Sequence, residues 1–124
     1  MNLTMQEIFD KSVKGVIAQG KPAVANDAQC AYRTPDGCKC AVGQLIPDDK
    51  YDPSWDAPYE PTLIDESTPQ GEALRAALGG LNNDELALLS DLQAAHDNGS
   101  LDDDWLDKFK ISSQSIAERW GLDY

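Results

Sequence analysis

Five prolines, Pro47, Pro53, Pro58, Pro61 and Pro69, fall within residues 46–69, too close together for a helix or a strand ladder to pass between them. The segment reads as a long loop, and a loop of about 20 residues inside a small domain is uncommon and often functional. Tyr51, Trp55 and Tyr59 are spaced through it as anchors. Its charge is equally distinctive. Residues 44–72 carry eight carboxylates against one lysine, whereas residues 1–43 hold four acidic and five basic side chains. Most of the excess that takes the chain to a net charge of -12 therefore lies in and around this one loop.

On either side of the loop the signals are helical. Thr4 and Glu7 form a capping box, Leu3 and Ile8 the accompanying hydrophobic staple, and Gly20 followed by Pro22 a stop, which predicts a helix to about residue 19. Thr68 caps a short helix with Pro69 in its first turn and Gly79-Gly80 after it. Asn82 and Glu85 repeat the capping box and open a helix reaching about Asp97. Ser100 and Asp103 cap a helix carrying Leu101, Trp105 and Phe109 on one face, and a last short helix covers about 113–120. Before the loop, Thr34-Pro35-Asp36-Gly37 is a turn flanked by short strand-like runs, which predicts a β-hairpin with Cys30, Tyr32, Cys38 and Cys40 on one face. The expected fold is α+β and mainly α: about five helices packed around one small hairpin, with a long acidic Pro-rich loop, in a single domain over residues 1–124. At 124 residues, 41% of them hydrophobic, the chain can bury a continuous core without disulfides or a metal.

Three cysteines leave at least one thiol unpaired in a monomer, and Met1-Asn2-Leu3-Thr4 lacks the basic and apolar regions of a leader. The expectation is a protein of the cytoplasm that meets no membrane. Cys30, Cys38 and Cys40 with the lone His96 supply the ligand types of a structural zinc site, with Asp97 as a further donor. A C-x-C pair on one strand is nevertheless a poor match to the usual C-x2-C knuckle. The plainer reading has Cys30 and Cys40 as small buried hydrophobes and His96 as a packed, hydrogen-bonded side chain. A Cys-His nucleophile and base pair lacks any sign of an oxyanion hole, so catalysis is the weaker reading.

A charge of -12 repels polyphosphate and disfavours direct contact with nucleic acid. The same charge speeds docking onto a basic protein surface. The candidate contact residues are Asp48, Asp49, Tyr51, Asp52, Trp55, Asp56, Tyr59, Glu60, Asp65 and Glu66, aromatic anchors ringed by carboxylates.

The run Cys30-x-Tyr32-Arg33-x-Pro35-Asp36-Gly37-x-Lys39-Cys40-Ala41-Val42-Gly43-x-Leu45-Ile46-Pro47-Asp48-Asp49-x-Tyr51-Asp52-Pro53 resembles a group of small phage and prophage proteins of unassigned function. Similarity extends to Leu92-Gln93, His96-Asp97 and Trp105, while Cys38 departs from the group's pattern, leaving Cys30, Cys40 and His96 as the cluster the resemblance implies. The resemblance also implies a role against host machinery, since small acidic phage proteins often disarm restriction, CRISPR or repair complexes, sometimes by imitating the charge of DNA. Together these give an acidic inhibitor or adaptor bound to a host nucleic-acid-handling protein as the expected function, with a metal- or thiol-dependent protein and a phage assembly component as the alternatives.

Overall fold

The computed structural model describes residues 3–24, 30–56, 59–60 and 62–124, so Pro58 and Pro61 of the acidic loop lie outside the described residues. Helix α1 spans Met5–Gln19. Thr4 Oγ1 accepts from the Glu7 N–H at 3.1 Å and the Glu7 carboxylate accepts from the Thr4 N–H at 3.0 Å, so two backbone donors with no partner inside the helix are satisfied reciprocally. Gly20, in the left-handed region at φ 76°, ends it. Helix α2, Pro69–Ala77, starts from Thr68, whose hydroxyl accepts from the Gly71 N–H. Gly71 is there because nothing larger fits: a Cβ would fall 2.3 Å from the Glu66 carbonyl oxygen. Arg75 then donates to the carbonyls of Ile64 and Glu66, both at 2.8 Å, and fastens α2 to the end of the acidic loop. Helix α3, Asn83–Asp97, opens with the Asn82 and Glu85 capping box.

Helix α4 runs unbroken over Trp105–Trp120, where two helices were expected. Residues 110–113, Lys-Ile-Ser-Ser, contain neither Gly nor Pro, and Ser113 Oγ donates back to the Lys110 carbonyl, an accommodation that lets a serine sit inside a helix. Leu101, expected on its buried face, lies before the helix and is exposed.

The larger correction concerns the hairpin. Among the described residues there are four α-helices and no strand, so the fold is helical and not α+β. The turn at 34–37 exists, closed by Thr34 N–H donating to the Cys38 carbonyl and by one antiparallel bridge between Arg33 and Lys39. No ladder grows from it because side chains take the backbone groups that a ladder would need. Asp56 accepts from the N–H groups of Tyr32 and Arg33, Gln19 from that of Lys39 and Gln93 from that of Val42, while Ser12 donates to the Ala41 carbonyl. These bonds draw the 30–42 segment onto α1, α3 and the loop as an irregular, internally packed strip.

α3 packs against both α1 and α4, and α1 also meets a short 3-10 turn at Gly43–Leu45. Leu88, Leu89 and Leu92 from α3, Ile8, Phe9 and Val16 from α1 and Phe109 from α4 are essentially inaccessible. Tyr32 and Cys40 of the strip are buried among them. No helix among the described residues is long and apolar enough to cross a membrane.

Candidate functional site

Two groups of residues were singled out by the sequence, the Cys/His cluster and the acidic loop, and they meet at Asp97. Cys30, His96 and Asp97 place one donor atom each within 4.8 Å of one another. His96 is fully buried, its ring edge-on to Trp105 at 5.6 Å. Its two nitrogens are both engaged. Nε2 accepts from the Ala23 N–H at 3.0 Å, so it carries a lone pair and no proton. The proton of the neutral ring therefore sits on Nδ1 and is donated to Asp97 Oδ1 at 2.8 Å.

That tautomer decides what the cluster can do. A metal at Nδ1 would require moving the proton to Nε2, where it would oppose the Ala23 N–H. Burial pushes the Cys30 thiol up to about 11, opposed by a hydrogen bond with Ser100 and then aided by the Asp97 carboxylate, so the free thiol is held protonated. Cys40 is not part of the group; its buried sulfur accepts from the Gly43 N–H at 3.3 Å, and burial raises its pKa well above the thiol range. Cys38 is buried beside the 34–37 turn. As it stands the cluster is a hydrogen-bonded group with both imidazole nitrogens engaged, and taking a metal would require displacing the proton on His96 Nδ1 and that of the Cys30 thiol. Concavities of about 470, 360, 330 and 150 Å³ lie elsewhere on the described surface, and none of these is lined by Cys30, His96 or Asp97.

What the cluster does instead is hold the acidic loop. Tyr59 Oη donates to Asp97 Oδ2 and accepts from Gln93 Nε2, both at 2.6 Å, and the ring packs on Tyr32 at 5.2 Å. Tyr32 Oη donates in turn to the Glu60 carbonyl at 2.6 Å. Trp55 is 3% exposed, with Tyr51 edge-on to it and the Arg33 guanidinium over the other ring at 4.7 Å. Tyr51 Oη donates to Asp56, whose carboxylate also accepts the two backbone N–H groups of the strip. Among its described residues the loop also forms 3-10 turns at Asp48–Lys50, Pro53–Trp55 and Leu63–Asp65.

The ten expected contact residues thus separate by role. Tyr51, Trp55, Asp56 and Tyr59 face inward and secure the loop. Asp48, Asp49, Asp52, Glu60 and Asp65 are exposed and Glu66 half-buried. Asp48 pairs with Arg33 at 2.9 Å and Lys39 at 3.5 Å, Asp52 accepts from the Ser54 N–H, and Asp65 accepts from Ser90. Glu66 is hydrogen-bonded to Glu60, and that bond, followed by desolvation, holds its carboxyl above the ordinary range. The outcome is a rim of carboxylates on a backbone fixed from beneath.

Sequence reasoning missed the inward roles of Asp56 and Asp97. Asp56 carries no local mark that separates it from its acidic neighbours. Asp97 does, because a carboxylate in the last turn of a helix opposes the macrodipole and is retained only where specific donors meet it. Comparison of the chain with known family models, curated proteins and solved structures finds no match to any of them.

Proposed function

We propose that this protein is a non-enzymatic acidic binding module, a phage-type inhibitor or adaptor that lays the 48–66 rim on a basic, nucleic-acid-binding surface of a host protein. The observation that carries the reading is the division of labour inside the loop. The aromatic and polar groups that would be free in a solvated connector are spent on fixing its backbone, which leaves Asp49, Asp52 and Glu60 projecting as a preformed charge pattern. Preorganised carboxylates bind a cationic surface without the entropic cost of ordering a loop, and their field steers the encounter. Trp55 and Tyr59 are foundations of that surface and not its hot spots.

The test uses two exposed carboxylates that form no backbone hydrogen bond among the described residues. Wild type and an Asp49→Lys/Glu60→Lys variant are used to capture partners from host lysate, and each retained protein is challenged with duplex DNA. The expected result is one partner held by wild type, bound at least about tenfold more weakly by the variant, and displaced by DNA. Equal retention by both proteins, or a partner indifferent to DNA, refutes the reading.

A further inference from the structure

Against this acidic background one groove has the opposite sign. Between the start of α1 and the end of α2 lies a concavity of about 330 Å³ lined by Leu3, Lys11, Leu45, Pro47, Lys50 and Leu78 among others, with no carboxylate in its wall. The concavities of about 470, 360 and 150 Å³ each include at least one: Asp91 in the groove between α3 and α4, Glu7 and Asp10 beside α1, Asp10 with Tyr124. The cations here are also uncommitted. Lys21, Arg33, Lys39, Lys108 and Arg119 are in ion pairs and Arg75 is bonded to carbonyls, whereas Lys11, Lys14, Lys50 and, away from this groove, Lys110 have no ion-pair partner among the described residues. Lys11 and Leu3 are shared with an adjoining depression that Lys14 lines together with Glu7 and Asp10, so the carboxylate-free trough is the part that Lys11 and Lys50 border.

We propose that this trough docks an acidic peptide segment of a partner protein, with an apolar side chain seated on Leu45 and Leu78 and flanking carboxylates reaching Lys11 and Lys50. Charge complementarity selects the occupant, because on a chain of net charge -12 an anionic segment settles most easily where the wall offers lysines and no carboxylate, as this groove does. The donor type selects it further. Flexible lysine amines are point charges that suit dispersed carboxylates, whereas a phosphate site favours the fixed fork of arginine, and no arginine lines the groove. Lys11 comes from α1 and Lys50 from the Asp48–Lys50 turn, with Leu3, Leu45 and Leu78 in the same lining, a composition suited to a segment with both apolar and acidic side chains. Lys50 shares its turn with Asp48 and Asp49 of the rim, but the groove uses none of the rim's carboxylates, so its peptide test stands or fails separately from that reading.

The test is methyl and amide NMR on the full chain, titrated with a capped synthetic Asp-Leu-Leu-Glu-Asp peptide and, separately, with decanoate. Saturable shifts at Leu3, Leu45 and Leu78 that weaken with salt are expected, with Lys11→Ala/Lys50→Ala lowering affinity by about tenfold or more. Lys110→Ala, on α4, serves as the control and leaves binding unchanged. Amide dispersion like that of wild type shows that each variant folds. The proposal is overturned by no saturable shift at millimolar peptide, by an equal loss in Lys110→Ala, or by decanoate binding where the peptide does not.

Discussion

An aspartate at the last position of a helix stands where the backbone's partial negative charge is least tolerant of it. Asp97 is retained there because two donors, the Tyr59 hydroxyl and the His96 Nδ1–H, converge on its carboxylate, with the Cys30 sulfur close by. His96 supplies the link to the rest of the molecule: its Nε2 holds the Ala23 backbone and its own carbonyl accepts from the Trp105 indole at 2.7 Å. Replacing His96 by alanine leaves a cavity, an unpaired Ala23 N–H and an Asp97 short of one donor. The expected loss is about 3–4 kcal/mol in urea unfolding. Zinc provides the complementary measurement. A ligand that binds the native state raises its melting temperature in proportion to the logarithm of its concentration. Wild type is expected to melt at the same temperature in chelator and in zinc, because no ring lone pair is free; a zinc-dependent rise lost in Cys30→Ser would restore the metal site.

At the scale of elements, local chemistry and tertiary chemistry part company. The capping boxes at Thr4 and Asn82, and the Thr68-Pro69 entry to α2, announce their helices because every participant lies within four residues of the others. The 30–42 strip was misread because its backbone partners are Gln19, Asp56 and Gln93, up to 51 residues away, and turn chemistry alone cannot say whether a ladder or a side chain will take an N–H. The unbroken α4 was hidden by a pair of serines that read as a boundary. The same asymmetry holds for the candidate site: the acidic residues were legible as a band, but which of them point outward is set by buried tyrosines. The loop's order therefore has a testable cause. Trp55→Ala is expected to cost about 3–5 kcal/mol and to release residues 48–56 to rapid amide exchange while α1 and α3 stay protected. Asp49→Lys, on the same turn sequence, should leave exchange unchanged. If Trp55→Ala leaves the loop's exchange unaltered, the indole is not its anchor.

Over the whole molecule the arrangement makes stability lopsided in pH. Burial leads the shifts of the groups that would ionise at high pH: Cys30 moves from 9.0 to about 11, and Cys40, Tyr32, Tyr51 and Tyr59 move upward by more. A group whose folded pKa is raised stabilises fully below its unfolded value and loses that contribution as pH climbs through the folded one. For Cys30 the window opens at pH 9.0 and closes near 11, and the tyrosines extend it upward from 10.0. Each proton lost also adds to a charge already at -12, so self-repulsion works in the same direction. On the acid side the clear opposing case is Asp36, lowered from 3.8 to about 2 by its Thr34 hydrogen bond and then by Lys21, whose contribution disappears as pH falls through that interval. Thermal unfolding is accordingly expected to be level around neutrality and to decline steadily above pH 9.0, with Cys30→Ser flattening the first part of the decline. A profile level to pH 11 would mean that these groups ionise as easily in the folded chain as in the unfolded one, and that the 30–60 region holding the carboxylate rim is open to water.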